Sequence, residues 1–127
     1  MRAAELLKEV GVSAEVIDPI SLSPLDYNLI RNSANKTGKL LVIDNGWLTC
    51  GFSSEIIADI AINCENIKCQ RLGFADVPCP TTSSLEKLFY PNPISIAKVA
   101  NILCGGKNSW APKQIEQDEI SSFKGPF

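Results

Sequence analysis

Asp44-Asn45-Gly46-Trp47-Leu48-Thr49-Cys50-Gly51-Phe52-Ser53-Ser54-Glu55 gathers two carboxylates, three hydroxyls, a thiol, an amide and an indole within one short stretch. It follows the apolar run Leu40-Leu41-Val42-Ile43 and precedes Ile56, Ile57, Ile60 and Ala61 at helical spacing, so it reads as a strand-to-helix corner. In an open α/β sheet such corners line the crevice beyond the strands' carboxyl ends, and the next helix offers free N–H groups. Three kinds of chemistry are conceivable here. Gly51, Phe52, Ser53 and Ser54 could bind an anion at a helix start, Asp44 and Asn45 could orient a substrate, and Trp47 could stack on a ligand. Each has an ordinary structural counterpart. Serines cap helices, Asp-Asn-Gly makes turns, a Glu such as Glu55 in the first helical turn complements the dipole, and a Trp covers a core edge or a subunit interface.

Residue types elsewhere narrow the choice. The chain has no histidine, which removes the commonest general base and every Ser-His-Asp or Cys-His arrangement. Gly51-Phe52-Ser53-Ser54 lacks the G-x-S-x-G of a nucleophile elbow. There is no G-x-G-x-x-G after a strand and no G-x-x-x-x-G-K-[ST], and Gly105-Gly106 follows a helical run instead of preceding one. Five cysteines, Cys50, Cys64, Cys69, Cys79 and Cys104, are odd in number and unevenly spaced, so buried free thiols are expected, and Cys64-x4-Cys69 alone makes a weak zinc motif. Arg71, charged inside an apparent strand, should reach a sheet end or pair with a buried acid. No acid, base and nucleophile assemble, and no catalytic, cofactor-binding or metal-binding residue is assigned.

The whole chain of 127 residues is 45% apolar, enough for one core. Twelve basic and 14 acidic residues, without a basic cluster, argue against nucleic-acid or anionic-membrane partners. No apolar run reaches the roughly 20 residues that span a bilayer, and the first eleven residues lack a signal-peptide core, so a cytoplasmic location is expected.

The elements that must position the corner follow in order. Ala3, Leu6, Leu7 and Val10 predict a first helix stopped by Gly11, and Ala14-Glu15-Val16-Ile17-Asp18 predicts a short buried strand. Ser23-Pro24-Leu25-Asp26 predicts a helix start, with the helix running to Gly38. Lys39 to Asp44 should be a parallel strand, Gly51 or Phe52 to Asn63 a helix, and Ile67 to Phe74 a third strand. Val77-Pro78-Cys79-Pro80 must be extended, and Ser83 with Glu86 has capping-box spacing for a short helix through Leu88. Asn92-Pro93 opens a last helix ending near Leu103. Residues 1–104 therefore form one α/β domain, a three-layer sandwich with a mostly parallel sheet, and 105–127 a mobile polar tail in which Trp110, Phe123 and Phe127 could dock. A right-handed unit normally opens on a strand, whereas this chain opens on a helix.

Ala3 to Asp18, Ser23-Pro24-Leu25-Asp26 and Lys36-Thr37-Gly38-Lys39-Leu40-Leu41-Val42 together resemble the transketolase C-terminal domain family. Gly46-Trp47, Gly51-Phe52-Ser53-Ser54-Glu55-Ile56, Ala75-Asp76-Val77-Pro78-Cys79-Pro80, Leu85-Glu86 and Tyr90-Pro91 narrow the resemblance to beta subunits of the thiamine-diphosphate-dependent first component of 2-oxoacid dehydrogenases, over about Arg2 to Leu103. The resemblance implies a non-catalytic domain that packs against other domains and subunits and against an acyltransferase core. Thiamine diphosphate and magnesium would then lie in other domains of the parent enzyme, with no ligand carried onto this chain. It also implies a strand ahead of the first helix, between Ala14–Asp18 and Lys39–Asp44, without which the sheet should open centrally and the chain self-associate. Asp44, Asn45, Trp47, Gly51, Phe52, Ser53 and Glu55 are the interface candidates. Two other readings stand beside this one, a stand-alone small-anion-binding module and the equivalent domain of a transketolase or deoxyxylulose-phosphate synthase.

Overall fold

A computed structural model describes residues 1–112. Helix α1 (Arg2–Leu7) tightens into a 3-10 turn, Lys8–Val10, and Gly11 ends it in the left-handed region at φ 74°. Helix α2 spans Tyr27–Thr37 and Gly38, at φ 68°, terminates it in the same way. Both stops use the freedom of a residue without Cβ. Strand β1 (Lys39–Ile43) leads through the corner to α3 (Ser53–Asn63), then come β2 (Lys68–Leu72), α4 (Ser83–Phe89) and α5 (Pro93–Leu103).

The two strands pair in parallel, Lys39 opposite Lys68 through Ile43 opposite Leu72, and the sheet holds these two alone among the described residues. Alternation sends Leu40, Val42 and Cys69 toward α2 and α3, where Leu25, Ile30, Ala34, Ile56 and Ile60 complete the main core. Helix α5 contacts both strands, and α1 packs on α5 through Leu6, Leu7 and Ala97. The α/β architecture read from the sequence is therefore present, with helices packed on both faces of a small parallel sheet. Trp110 joins the α1/α5 cluster, while Phe123 and Phe127 lie outside the described residues.

The cysteines are free, but none is buried as expected: Cys50, Cys79 and Cys104 are exposed and Cys64 and Cys69 half-buried. Three expectations about elements also need correction. Residues 14–18 form no strand. Val16 is 52% exposed, and no backbone hydrogen bond links residues 13–24 to any other described residue. The β-branched composition was real, but a strand needs a neighbour, and none lies beside this segment. Helix α2 begins four residues after Ser23, at Tyr27, because Asp26 is the cap: its side chain accepts the Leu29 N–H at 3.0 Å. Ser83 likewise is inside α4, and the residue before the helix, Thr82, makes no side-chain cap bond. Asn92 does cap α5, accepting the N–H groups of Ile94 and Ser95, and the Ser95 hydroxyl accepts the Asn92 N–H in return.

Candidate functional site

Parallel pairing delivers the corner. The Asp44 N–H still bonds the Leu72 carbonyl at 2.9 Å, so the backbone leaves the sheet only after Asp44. Its carboxylate then reaches across the corner and accepts the Ser53 N–H at 3.0 Å. That places a negative charge on the positive end of α3, where it satisfies one of the helix's free donors. Gly51 lies under this bridge. A Cβ there would sit 2.0 Å from the Trp47 carbonyl oxygen and 3.2 Å from Asp44 Oδ2, so close approach of backbone to backbone requires glycine. Cys50, at φ 57°, is one of two non-glycine residues in the left-handed region among the described residues.

Arg71 closes the corner from β2. Its guanidinium donates to the Leu48 carbonyl at 2.8 Å and to the Ser54 hydroxyl. Of the two fates open to this residue, a sheet end or a buried acid, it takes the first: it reaches into the corner at the strands' carboxyl ends and holds a loop carbonyl and a helix hydroxyl. Only the three-dimensional register, Arg71 opposite Val42 and therefore on the α3 face, explains the choice. Gly73 was not singled out from the sequence either. A Cβ at Gly73 would meet the Gly46 carbonyl oxygen at 2.6 Å and Leu48 Cδ2 at 2.9 Å, and the next residue's N–H, from Phe74, bonds that same Gly46 carbonyl. A glycine two residues after an arginine in a strand gave no signal without knowledge of what crosses over it.

Trp47 turns away from the helix start. Its ring meets Phe74 and Phe89 edge to face, at 5.8 and 5.5 Å between centroids, and Tyr90 packs on the same two rings at 5.1 and 5.0 Å. Phe89 is buried, whereas Trp47 keeps 43% of its surface exposed. The Tyr90 hydroxyl lies 3.9 Å from the Cys79 sulfur, and this neighbour, together with burial, pushes the phenol above its usual range. Asn45, Thr49 and Glu55 are exposed, and Phe52 is half-buried against the main core.

Ser53 is the exception to a satisfied corner. It is 1% exposed, and its hydroxyl is the one buried side-chain polar atom without a partner among the described residues. The structure thus brings Asp44, Gly51 and Ser53 together around the α3 start and leaves Asn45 and Glu55 pointing to solvent. No acid, base and nucleophile converge. Among the described residues no group of three or more Cys, Asp or Glu could hold a metal ion, and no helix is long and apolar enough to cross a membrane.

Residues 1–96 match the family model of the transketolase C-terminal domain. The chain is 35% identical over 107 residues to the mitochondrial pyruvate dehydrogenase E1 component subunit beta of Pisum sativum, covering 82% of this chain and 30% of that protein. Against the corresponding subunit of Dictyostelium discoideum it is 40% identical over 89 residues, 68% of this chain and 25% of the relative. The beta subunit of acetoin:2,6-dichlorophenolindophenol oxidoreductase of Bacillus subtilis (strain 168) is 35% identical over 108 residues, 83% and 32% respectively. The chain therefore spans under a third of the length of these relatives.

Proposed function

The chain belongs to the transketolase C-terminal domain family, and from that premise we propose that it is the C-terminal assembly domain of a 2-oxoacid dehydrogenase beta subunit, with the Asp44–Glu55 corner facing a neighbouring domain or subunit. The observation that carries the reading is the saturation of the corner. The α3 start is occupied by the chain's own Asp44 carboxylate, and Arg71 is held by Leu48 and Ser54. A corner whose Asp44 and Arg71 already hold backbone and hydroxyl partners within the chain has little to offer a substrate, while a half-exposed Trp47 on an aromatic base suits a protein contact.

In this proposal the parent enzyme decarboxylates a 2-oxoacid and passes the acyl group to a lipoyl arm on an acyltransferase core. Thiamine diphosphate and magnesium supply the chemistry there. The donor set described above does not fit them, so this chain's part is packing. A cytoplasmic location is part of this reading; co-fractionation with a mitochondrial marker, the organelle in the names of the Pisum sativum and Dictyostelium discoideum relatives, would overturn it.

Calorimetry of the isolated chain should show no binding of thiamine diphosphate with magnesium, and micromolar binding would overturn the reading. Light scattering should find the chain heavier than a monomer, with Asn45→Arg at an exposed corner position shifting it toward monomer. A clean monomer at every concentration removes the assembly role. The anion-module alternative is tested by thermal melting with inorganic phosphate; the Asp44 carboxylate at the helix start opposes a second anion there, so no shift is expected.

A further inference from the structure

One peptide of the corner stays outside its bonding. Asp44 is fixed on one side of it by its N–H, which bonds the Leu72 carbonyl at 2.9 Å, and Gly46 on the other by its carbonyl, which accepts the Phe74 N–H at 2.9 Å. Between these points Asn45 is exposed, and neither its side-chain amide nor the Gly46 N–H has a hydrogen-bond partner among the described residues. The fold does not demand glycine at position 46. Its φ is not among the positive ones, and the three atoms nearest to a Cβ there would all belong to the flexible Asp44 carboxyl group, the closest being Oδ1 at 3.3 Å. What glycine does supply is an unshielded backbone nitrogen next to an asparagine side chain.

We propose that the Asn45–Gly46 peptide is a self-modification site, at which the folded chain converts asparagine to aspartate and isoaspartate with water as co-reactant. The Gly46 nitrogen gives its proton to solvent and attacks Asn45 Cγ. The N–Cγ bond forms, the Cγ–Nδ2 bond breaks, and the amide nitrogen leaves as ammonia with a proton taken from solvent, closing a succinimide ring. Water then opens the ring. Hydrolysis of the new N–Cγ bond gives aspartate, and hydrolysis of the original peptide C–N bond gives isoaspartate, whose backbone runs through Cβ and Cγ. Asparagine is a thermolabile residue, and a following residue without Cβ leaves the attack unhindered. The other asparagines are poorer candidates. They lie inside α2, α3 and α5, or precede the β-branched Ile67, the proline at 93, which has no N–H, or Ser109.

Either product adds a negative charge beside Asp44, whose carboxylate already occupies the α3 start. Isoaspartate also lengthens the backbone by one carbon between Asp44 and Gly46, while Leu72 and Phe74 hold both ends. Those two bonds set the span, so the longer link is expected to open one of them, and Trp47, next in the chain, moves with it. The corner thus carries in its own sequence a slow, irreversible change of charge and shape. The proposal is independent of what the corner faces.

The test incubates the full chain in mildly alkaline buffer and follows every asparagine by tandem mass spectrometry. Isoaspartate is counted by methyl transfer from S-adenosylmethionine, through a carboxyl methyltransferase specific for it. Acid at position 45 should accumulate at least tenfold faster than at Asn108, the exposed asparagine before Ser109, and part of it should accept methyl groups. Equal rates at the two positions overturn the proposal. Gly46→Ala should slow the conversion at least tenfold while keeping the circular dichroism of the parent, and an unchanged rate in the folded variant overturns it. Should that variant not fold, Asn45→Gln, whose amide would have to close a larger ring, must abolish the signal. A synthetic peptide of residues 42–51 gives the rate of an unheld Asn-Gly link, and the folded chain should reach at least a tenth of it; a slower rate means that the corner shields the bond and overturns the proposal. In the isoaspartate fraction the amide of Asp44 or Phe74 should exchange at least tenfold faster, and unchanged exchange at both overturns the change of shape.

Discussion

The corner after β1 and the segment after α1 have comparable raw material: each is a loop carrying apolar side chains and a few charges beside the same strand. They end in opposite conditions. At the corner, Asp44, Arg71, Gly51 and Gly73 bring every crossing backbone within contact, and the loop is held by bonds to α3 and β2. Residues 13–17 are tied through the Glu15 side chain, to Lys36 and Ser33, and make no backbone–backbone hydrogen bond among the described residues. Rigidity thus follows from having partners on both sides, and composition alone does not supply it.

The largest effect separating the two regions should come from truncating an apolar side chain in each. Ile60 is 1% exposed in the core that supports the corner, so Ile60→Ala should cost about 2–5 kcal/mol in urea unfolding. Val16 is half exposed, and Val16→Ala should stay within about 0.5 kcal/mol in the free chain. Equal losses would mean that residues 13–17 are packed in solution, and the contrast would collapse. Next comes Gly51→Ala, whose Cβ would collide with the Trp47 carbonyl; overpacking of that kind costs about 1–3 kcal/mol. The corner would have to open to accept it, so the Trp47 fluorescence should redden together with the loss of stability.

Much of this was legible in the sequence where the determinant is local. Gly11 and Gly38 stop their helices and Asn92-Pro93 starts α5, because each depends on residues within a turn of itself, and the apolar run Lys39–Ile43 is a strand because β2 is there to pair with it. The corner's position was legible for the same reason. What Arg71 and Gly73 do was not, since both act on chain that passes over β2 from some twenty residues away. Residues 14–18 failed in the opposite direction: their pattern is right for a strand, and pairing, which the pattern cannot contain, is missing. Ser83 and Glu86 have the spacing of a capping box, yet the helix starts one residue earlier relative to that box than the spacing requires.

Two smaller predictions sharpen the contrast. Asp44→Ala removes the acceptor for the Ser53 N–H and the charge at the α3 start, and loss of such a cap costs about 0.5–2 kcal/mol. Asp44→Asn keeps an acceptor and should recover part of it, which separates hydrogen bonding from the dipole interaction in chemical unfolding.

The smallest effect is electrostatic and lies between α2 and α3. The Arg31 guanidinium bonds both carboxylate oxygens of Asp59, and the Asn63 amide adds a further bond, so Asp59 is held below its ordinary pKa of 3.8. A carboxylate depressed in the folded state is protonated more readily when unfolded, so its contribution is complete above 3.8 and declines as pH falls through the lower folded value. Stability should therefore fall on acidification in that range, and Asp59→Asn should flatten the acid limb while leaving the slope between pH 6 and 8 unchanged. Glu15 is depressed too, by Lys36 first and Ser33 second, but it sits on the open segment. If that segment moves independently of the core, Glu15→Gln should leave the acid limb of global unfolding as it was. A flattening equal to that of Asp59→Asn would show residues 13–17 unfolding with the core, and the division between the corner and this segment would then be one of exposure without any difference in cooperativity.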